Sequence, residues 1–189
     1  DLPCLRLPRG DRRAEDFLSQ LFPWGLEEGE SFSCSAAMTK DGQLIFCASK
    51  TLYRATKNRA EKLVGLTDLT MANRDPVPAG LHFQQILKAS ATKNIVYLAL
   101  ATHPGPDVDP GPYAAAKYPE FVGKLDLASR RLSLVEGWSY DIEVDAEAEV
   151  FYRAGVNSVE RVDFQGNVLQ RWCADPGMEV RSLAPDGKA

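Results

Sequence analysis

Along most of this chain, apolar positions recur with a period of two, in short runs broken by turn residues. Ser31–Met38 leads into Thr39-Lys40-Asp41-Gly42, and Leu44–Ala48 follows, which reads as strand, tight Asp-Gly turn, strand. The second run is apolar at every position, so it is expected to be buried on both faces. Thr51–Ala55 and Glu61–Gly65 give a third and a fourth strand. With Thr39–Gly42 as the loop, Met38 pairs with Gln43 and Cys34 lies opposite Cys47. Directly opposed residues sit slightly further apart than a disulfide spans, so the spacing predicts proximity rather than a bond.

The same order then recurs. Gln84–Ala89 and Ile95–Ala99 flank a turn at Thr92-Lys93-Asn94, and Phe121–Asp126 and Arg131–Gly137 complete a second unit. A third runs Tyr140–Val144, Ala148–Tyr152, Ser158–Phe164 and Val168–Trp172, and a fourth begins at Glu179 and reaches Asp186-Gly187-Lys188. Four strands per unit of roughly 40 residues predict an all-β fold of propeller blades, about three and a half of them, over residues 31–189. A β-sandwich with incidental hairpin similarity is the competing architecture. Residues 1–30 stand apart as an N-terminal extension. Pro3, Pro8 and Gly10 mark an extended lead-in, and Asp11–Phe22 is a short helix with an apolar stripe of Phe17, Leu18, Leu21 and Phe22, ended by Pro23 and Gly25.

Two passages carry a resemblance. Thr39-Lys-Asp-Gly-Gln-Leu-Ile-Phe-Cys-Ala-Ser49 and Ala184-Pro-Asp-Gly-Lys188 are similar to the Pro-Asp-Gly hairpin of six-bladed β-propellers, the gluconolactonase and strictosidine-synthase-like group and the NHL-repeat group. Ser158-Val-Glu-Arg-Val-Asp-Phe-Gln-Gly-Asn-Val-Leu169 resembles the passage from their third to their fourth strand. The likeness is to the repeat, over roughly residues 31–189, and this chain holds fewer blades than six. A gluconolactonase-like chain would hold a divalent metal on the ring axis through a Glu, an Asn and an Asp. That resemblance points to Glu28 or Glu30, Asn73 and Asp75.

Composition narrows the field without naming a function. Lys and Arg total 22 and Asp and Glu 26, a net charge of −4, which disfavours a nucleic-acid surface. The longest apolar runs, such as Ile95–Ala101, are far short of the ~20 residues of a membrane-spanning helix. None of Cys4, Cys34, Cys47 and Cys173 forms a Cys-x-x-Cys pair, which excludes a zinc ribbon.

Propeller connectivity selects two long connections, Leu66–Gly80 between units and Thr102–Pro119 inside the second unit, and places both at one face. That face would carry Asp68, Arg74, Asp75, His103, Asp107, Asp109, Tyr113 and Tyr118. Asp107 and Asp109, among prolines and glycines that bare backbone carbonyls, are candidate calcium ligands, weighed against a solvated turn. There is no Gly-x-Ser-x-Gly elbow, no Cys with an evident His partner and no phosphate-cradling glycine loop. The leading expectation is a non-catalytic binding or scaffold module that meets a protein partner or ligand through the loop face. The alternative is a metal-dependent lactonase-like hydrolase. An unfinished ring also exposes a strand edge, which invites a second chain, a dimer or the N-terminal segment to cover it.

Overall fold

The computed structural model describes residues 32–56, 60–73, 77–102, 120–137, 141–155, 157–175 and 183, with side chains from residue 35. The first sheet is an antiparallel meander of β1 (Phe32–Met38), β2 (Leu44–Ala48), β3 (Thr51–Ala55) and β4 (Ala60–Gly65). A 3-10 turn (Leu66–Asp68) leads to β5 (Thr70–Met71). The second sheet has the order β5-β9-β8-β7-β6, from β6 (Leu81–Ala89), β7 (Ile95–Thr102), β8 (Phe121–Asp126) and β9 (Arg131–Glu136). The third is a meander of β10 (Asp141–Asp145), β11 (Val150–Ala154), β12 (Ser158–Asp163) and β13 (Val168–Cys173).

The all-β reading and the three four-strand units therefore hold, and β5 is an addition to them. The described residues do not close into a barrel or a ring. The helix expected at Asp11–Phe22 lies outside the described residues, as does the fourth unit apart from Leu183.

Local chemistry explains the turns. Asp126, Asp145 and Asp163 each end a strand and fold back on the chain that follows. Their Oδ1 atoms accept backbone N–H bonds from Ala128 and Ser129, from Glu147 and Ala148, and from Gln165 and Asn167. This is the side-chain mimic of a turn that makes Asp frequent there. Arg130 and Glu149 close two of these turns in the left-handed region, at φ 56° and 53°.

The first hairpin departs from the expected register. Thr39 N donates to Gln43 O at 2.9 Å, and Gly42 turns at φ 72°. The loop therefore closes on Thr39 and Gln43, and Met38 pairs with Leu44 rather than Gln43. A bulge between Phe32 and Ala36 then takes up Cys34. Ser35, not Cys34, continues the register towards Cys47, with its Oγ 3.7 Å from the Cys47 Sγ. Cys47 is a buried thiol outside any disulfide.

The second sheet is the middle layer. Leu98, Leu100, Leu125, Leu132 and Leu134 face the first sheet and pack with Ile45, Cys47, Leu52 and Val64. Tyr97, Val122 and Val135 face the third and pack with Val144, Phe151, Val162 and Phe164. The first strands β1, β6 and β10 are tied in sequence: Ile86 N donates to Ser35 Oγ at 2.6 Å and Lys88 Nζ to the Val144 carbonyl at 3.0 Å. Leu183 N donates to Asp141 Oδ2 at 2.7 Å.

Within the second sheet, the leucines of the strands on either side of Gly123 fill the space where a side chain would stand. A Cβ on Gly123 would meet Leu100 Cδ1 at 2.6 Å and Leu132 Cδ1 at 3.1 Å. Gly123→Ala is expected to destabilise by about 1–3 kcal/mol through overpacking. Urea unfolding should show a lower midpoint with an unchanged slope.

Candidate functional site

The two ends of the second sheet differ in kind. One carries short turns held down by charge. The turn between β6 and β7 meets the turn between β10 and β11. Lys93 and Lys124 both donate to the Glu149 carboxylate, and Thr92 Oγ1 donates to Glu147 at 3.2 Å. Those two lysine hydrogen bonds outweigh desolvation and hold the Glu149 carboxyl below its ordinary range. The hydrogen bond to Glu149 likewise raises Lys93. Beneath this latch the buried Tyr97 hydroxyl donates to the Ala146 carbonyl at 3.2 Å. Burial, with the nearby carboxylates, pushes the Tyr97 hydroxyl up to about 12. Tyr97→Phe leaves that carbonyl without its donor, so a loss of about 1–2 kcal/mol is expected in thermal unfolding. Every carboxylate of this latch is engaged by a cation or a donor, which describes a fastening rather than a reaction centre.

At the opposite end the longer connection leaves β7 and the shorter one returns into β6. Leu81, the first residue of β6, pairs with Thr102, the last of β7. The chain leaves the described residues after Thr102 and returns at Glu120. The two points are clasped: Glu120 Oε2 accepts from Thr102 N at 2.9 Å and from Thr102 Oγ1 at 2.5 Å. Glu120 N donates to Leu100 O at 3.0 Å, and Gly137 N to Glu120 O at 2.9 Å. One carboxylate and its backbone thus knit β7, β8 and the end of β9 at the root of the longer connection.

The shorter connection is pinned to the outer edge of the same sheet. After the 3-10 turn, β5 pairs in parallel with β9, Thr70 with Arg131 and Met71 with Leu132. Asn73 then acts as one more strand residue through its side chain. Its Nδ2 donates to Leu134 O at 2.8 Å, and its Oδ1 accepts from Leu134 N at 3.0 Å. The chain is next described from Val77, just before β6 on the other edge of the sheet.

Of the expected binding residues, Asp68 alone is described. Its Oδ2 accepts from Gly65 N at 2.9 Å and lies 3.8 Å from Lys62 Nζ, so it caps the 3-10 turn. Arg74, Asp75, His103, Asp107, Asp109, Tyr113 and Tyr118 lie outside the described residues, as do Glu28 and Glu30. Asn73, named as a metal ligand through the resemblance, sits at the outer edge of the second sheet with both amide atoms used on Leu134. Among the described residues, no three His, Cys, Asp or Glu side chains gather as a metal-binding group. Glu120 was not singled out from the sequence, where a lone Glu before Phe121 carries no motif. No described helix is long and apolar enough to cross a membrane.

No family model and no curated protein matches this chain. Solved structures similar to it include a protein of unknown function from Bacteroides caccae, 18% identical, with a TM-score of 0.42 over 79% of this chain and 48% of that one. Apo AztD from Citrobacter koseri is 15% identical, with a TM-score of 0.45 over 75% of this chain and 34% of that one. A chain of the mitotic checkpoint complex is 11% identical, with a TM-score of 0.41 over 93% of this chain and 47% of that one. This chain thus spans less than half the length of each.

Proposed function

We propose that this chain is a non-catalytic binding or scaffold module of the β-propeller type, which contacts a protein partner or ligand through the loop-bearing end of its second sheet. The observation that carries the reading is the pairing of Leu81 with Thr102 together with the Asn73 clamp on Leu134. Both long connections are thereby anchored at one sheet. Three successive sheets that each contain a four-strand meander, with the first strands β1, β6 and β10 tied in sequence, support the propeller reading of the architecture. Long connections on a rigid scaffold are where binding residues concentrate. The mixture of Arg74, Tyr113 and Tyr118 with Asp68, Asp75, Asp107 and Asp109 suits recognition, in which Tyr and Arg are frequent anchors. The lactonase-like alternative draws nothing from Asn73, whose amide is already committed.

The test compares wild type with Arg74→Ala/Tyr113→Ala as immobilised bait for proteins and metabolites of one source. The double variant should lose the specifically retained species while its melting temperature stays nearly unchanged, because positions in long connections outside the sheets contribute little to a core. Retention unaltered by the double change, or a protein that no longer folds, overturns this assignment of the face. Stoichiometric divalent metal by elemental analysis, with lactone hydrolysis, would instead establish the alternative.

A further inference from the structure

The three meanders end on outer strands of different kinds. β4 is half-covered, with Ala60, Val64 and Gly65 buried. β9 is paired on its outer side by β5 and then by the Asn73 side chain. β13 has all six residues exposed, with Val168 at 43%, Leu169 at 50% and Trp172 at 43%. Among the described residues it pairs with β12 alone. Its ladder fixes which backbone groups face out. Ala174 N donates to Asn157 O at 2.8 Å, in the register that sets Cys173 opposite Ser158, Trp172 opposite Val159 and Arg171 opposite Glu160. Antiparallel pairs alternate between hydrogen-bonded and non-hydrogen-bonded. Gln170 and Trp172 therefore turn their N–H and C=O to β12, while Arg171 and Cys173 turn theirs outward. The β-bulge of this strand lies before Gln170, so the run from there to Cys173 is regular. An exposed edge of this kind is a template for another strand.

We propose that β13 is a docking edge for an antiparallel peptide strand in which acidic and large apolar residues alternate. Its side chains select that chemistry. Arg171 shares one sheet face with its cross-strand neighbours Glu160 and Arg153. Two guanidinium groups divide one carboxylate there, and the Arg171 side chain is still 58% exposed. An acidic residue opposite Arg171 supplies the second carboxylate. On the other face the ring of Trp172 lies 6.3 Å from that of Tyr152. Arg161, opposite both Tyr152 and Gln170, adds a cation to that face, and among the described residues its Nε has no hydrogen-bond partner. The Tyr152 and Trp172 rings give an incoming apolar side chain a surface to pack on, opposite Trp172. In this register the N–H and C=O of the incoming acid meet those of Arg171, and its apolar neighbours turn theirs to solvent. The edge belongs to the third sheet and stands independently of the surface proposed on the second.

The test titrates a fluorescein-labelled peptide of Val-Glu repeats with the full chain at pH 7 and reads anisotropy. Saturable binding is expected, and a Val-Lys peptide of the same length should bind about tenfold or more weakly, because it sets a cation against Arg171. Cys173→Pro removes an outward N–H and leaves the ladder to β12 whole. It should weaken the Val-Glu peptide by about tenfold or more at a nearly unchanged melting temperature. Methylating the backbone nitrogens of the Glu residues should weaken binding at least as much, whereas methylating those of the Val residues should leave it within a few fold. No saturable binding, equal binding of the Val-Lys peptide, or equal binding of the two methylated peptides overturns the proposal. So does an undiminished affinity in folded Cys173→Pro. Where that variant does not fold, the two methylated peptides decide on the wild type. A wild-type dimer in light scattering that the Val-Glu peptide fails to compete with would make a second copy the occupant and overturns the proposal as well.

Discussion

Phe151→Ala is expected to destabilise the protein by about 3–5 kcal/mol, the range for removing a buried aromatic side chain. Phe151, the second residue of β11, is 0% exposed, opposite Val144 on one side and Val162 on the other. Its ring lies 5.4 Å from that of Phe164, which lies 5.0 Å from Tyr97 of the second sheet. Three aromatic rings thus bridge the seam between the second and third sheets. The residues around the gap belong to two separate sheets, each fixed by its own hydrogen-bond ladder, so they cannot close it. Phe151→Leu, which keeps most of the volume, should cost markedly less. Urea unfolding followed by far-UV circular dichroism measures both. A loss under about 1 kcal/mol for the alanine variant would mean that the ion-pair latch, not this cluster, joins the sheets. Unfolding in two steps would show the third sheet detaching first, as expected of units that contact only their neighbours.

Such a seam is legible from the sequence because period-two alternation assigns each residue to a face. The strands at 44–48, 51–55, 121–126 and 158–163 follow from it almost residue for residue. Burial of the whole Ile45–Ala48 run also follows, since no polar position interrupts it. β5 does not follow. It is two residues long and is completed by the Asn73 side chain, and neither part leaves a periodic signal. The register of the first hairpin turned on one residue: Gly42 at positive φ moved the loop to Thr39–Gln43 and reassigned every pair behind it. Glu120 acts through position alone.

A repeated ionic device was present in the sequence without being visible as one. Tyr53-Arg54-Ala55 is followed by Glu61, and Tyr152-Arg153-Ala154 by Glu160, each acid seven residues after its arginine. Across a hairpin that spacing makes the two residues direct partners: Arg54 pairs with Glu61, and Arg153 with Glu160. The copies sit on different strands of their sheets, third and fourth in the first, second and third in the third. A search for repeats by strand number therefore passes over it.

The second copy carries the other large expectation, and its size depends on pH. Glu160 is 8% exposed and joins two arginines. Its Oε2 accepts from Arg153 Nε at 2.7 Å and Nη2 at 2.6 Å, while Oε1 accepts from Arg171 Nε at 2.7 Å and also from its Nη2. Burial by itself would raise this carboxyl, but the hydrogen bonds and charges of Arg153 and Arg171 outweigh it and hold the group below its ordinary 4.5. A depressed folded value means that the unfolded chain binds the proton more tightly. The contribution is fully present above pH 4.5 and is lost as pH falls through the folded value. Glu160→Gln keeps the shape and removes the charge, leaving Arg153, which also donates to the Glu136 carbonyl at 2.7 Å, without its counterion. Breaking a fully buried pair costs about 3–5 kcal/mol, and the water-exposed head of Arg171 reduces that to about 2–3 kcal/mol here. The difference between wild type and Glu160→Gln should therefore be large at pH 7 and shrink steadily below pH 4.5. Asp126, Glu149 and Asp163 have lowered values as well, but they titrate alike in both proteins and cancel in the difference. Urea midpoints at pH 7 and pH 3 measure it. A gap of the same size at both pH values would show that Glu160 acts through shape and hydrogen bonding, with its charge contributing nothing.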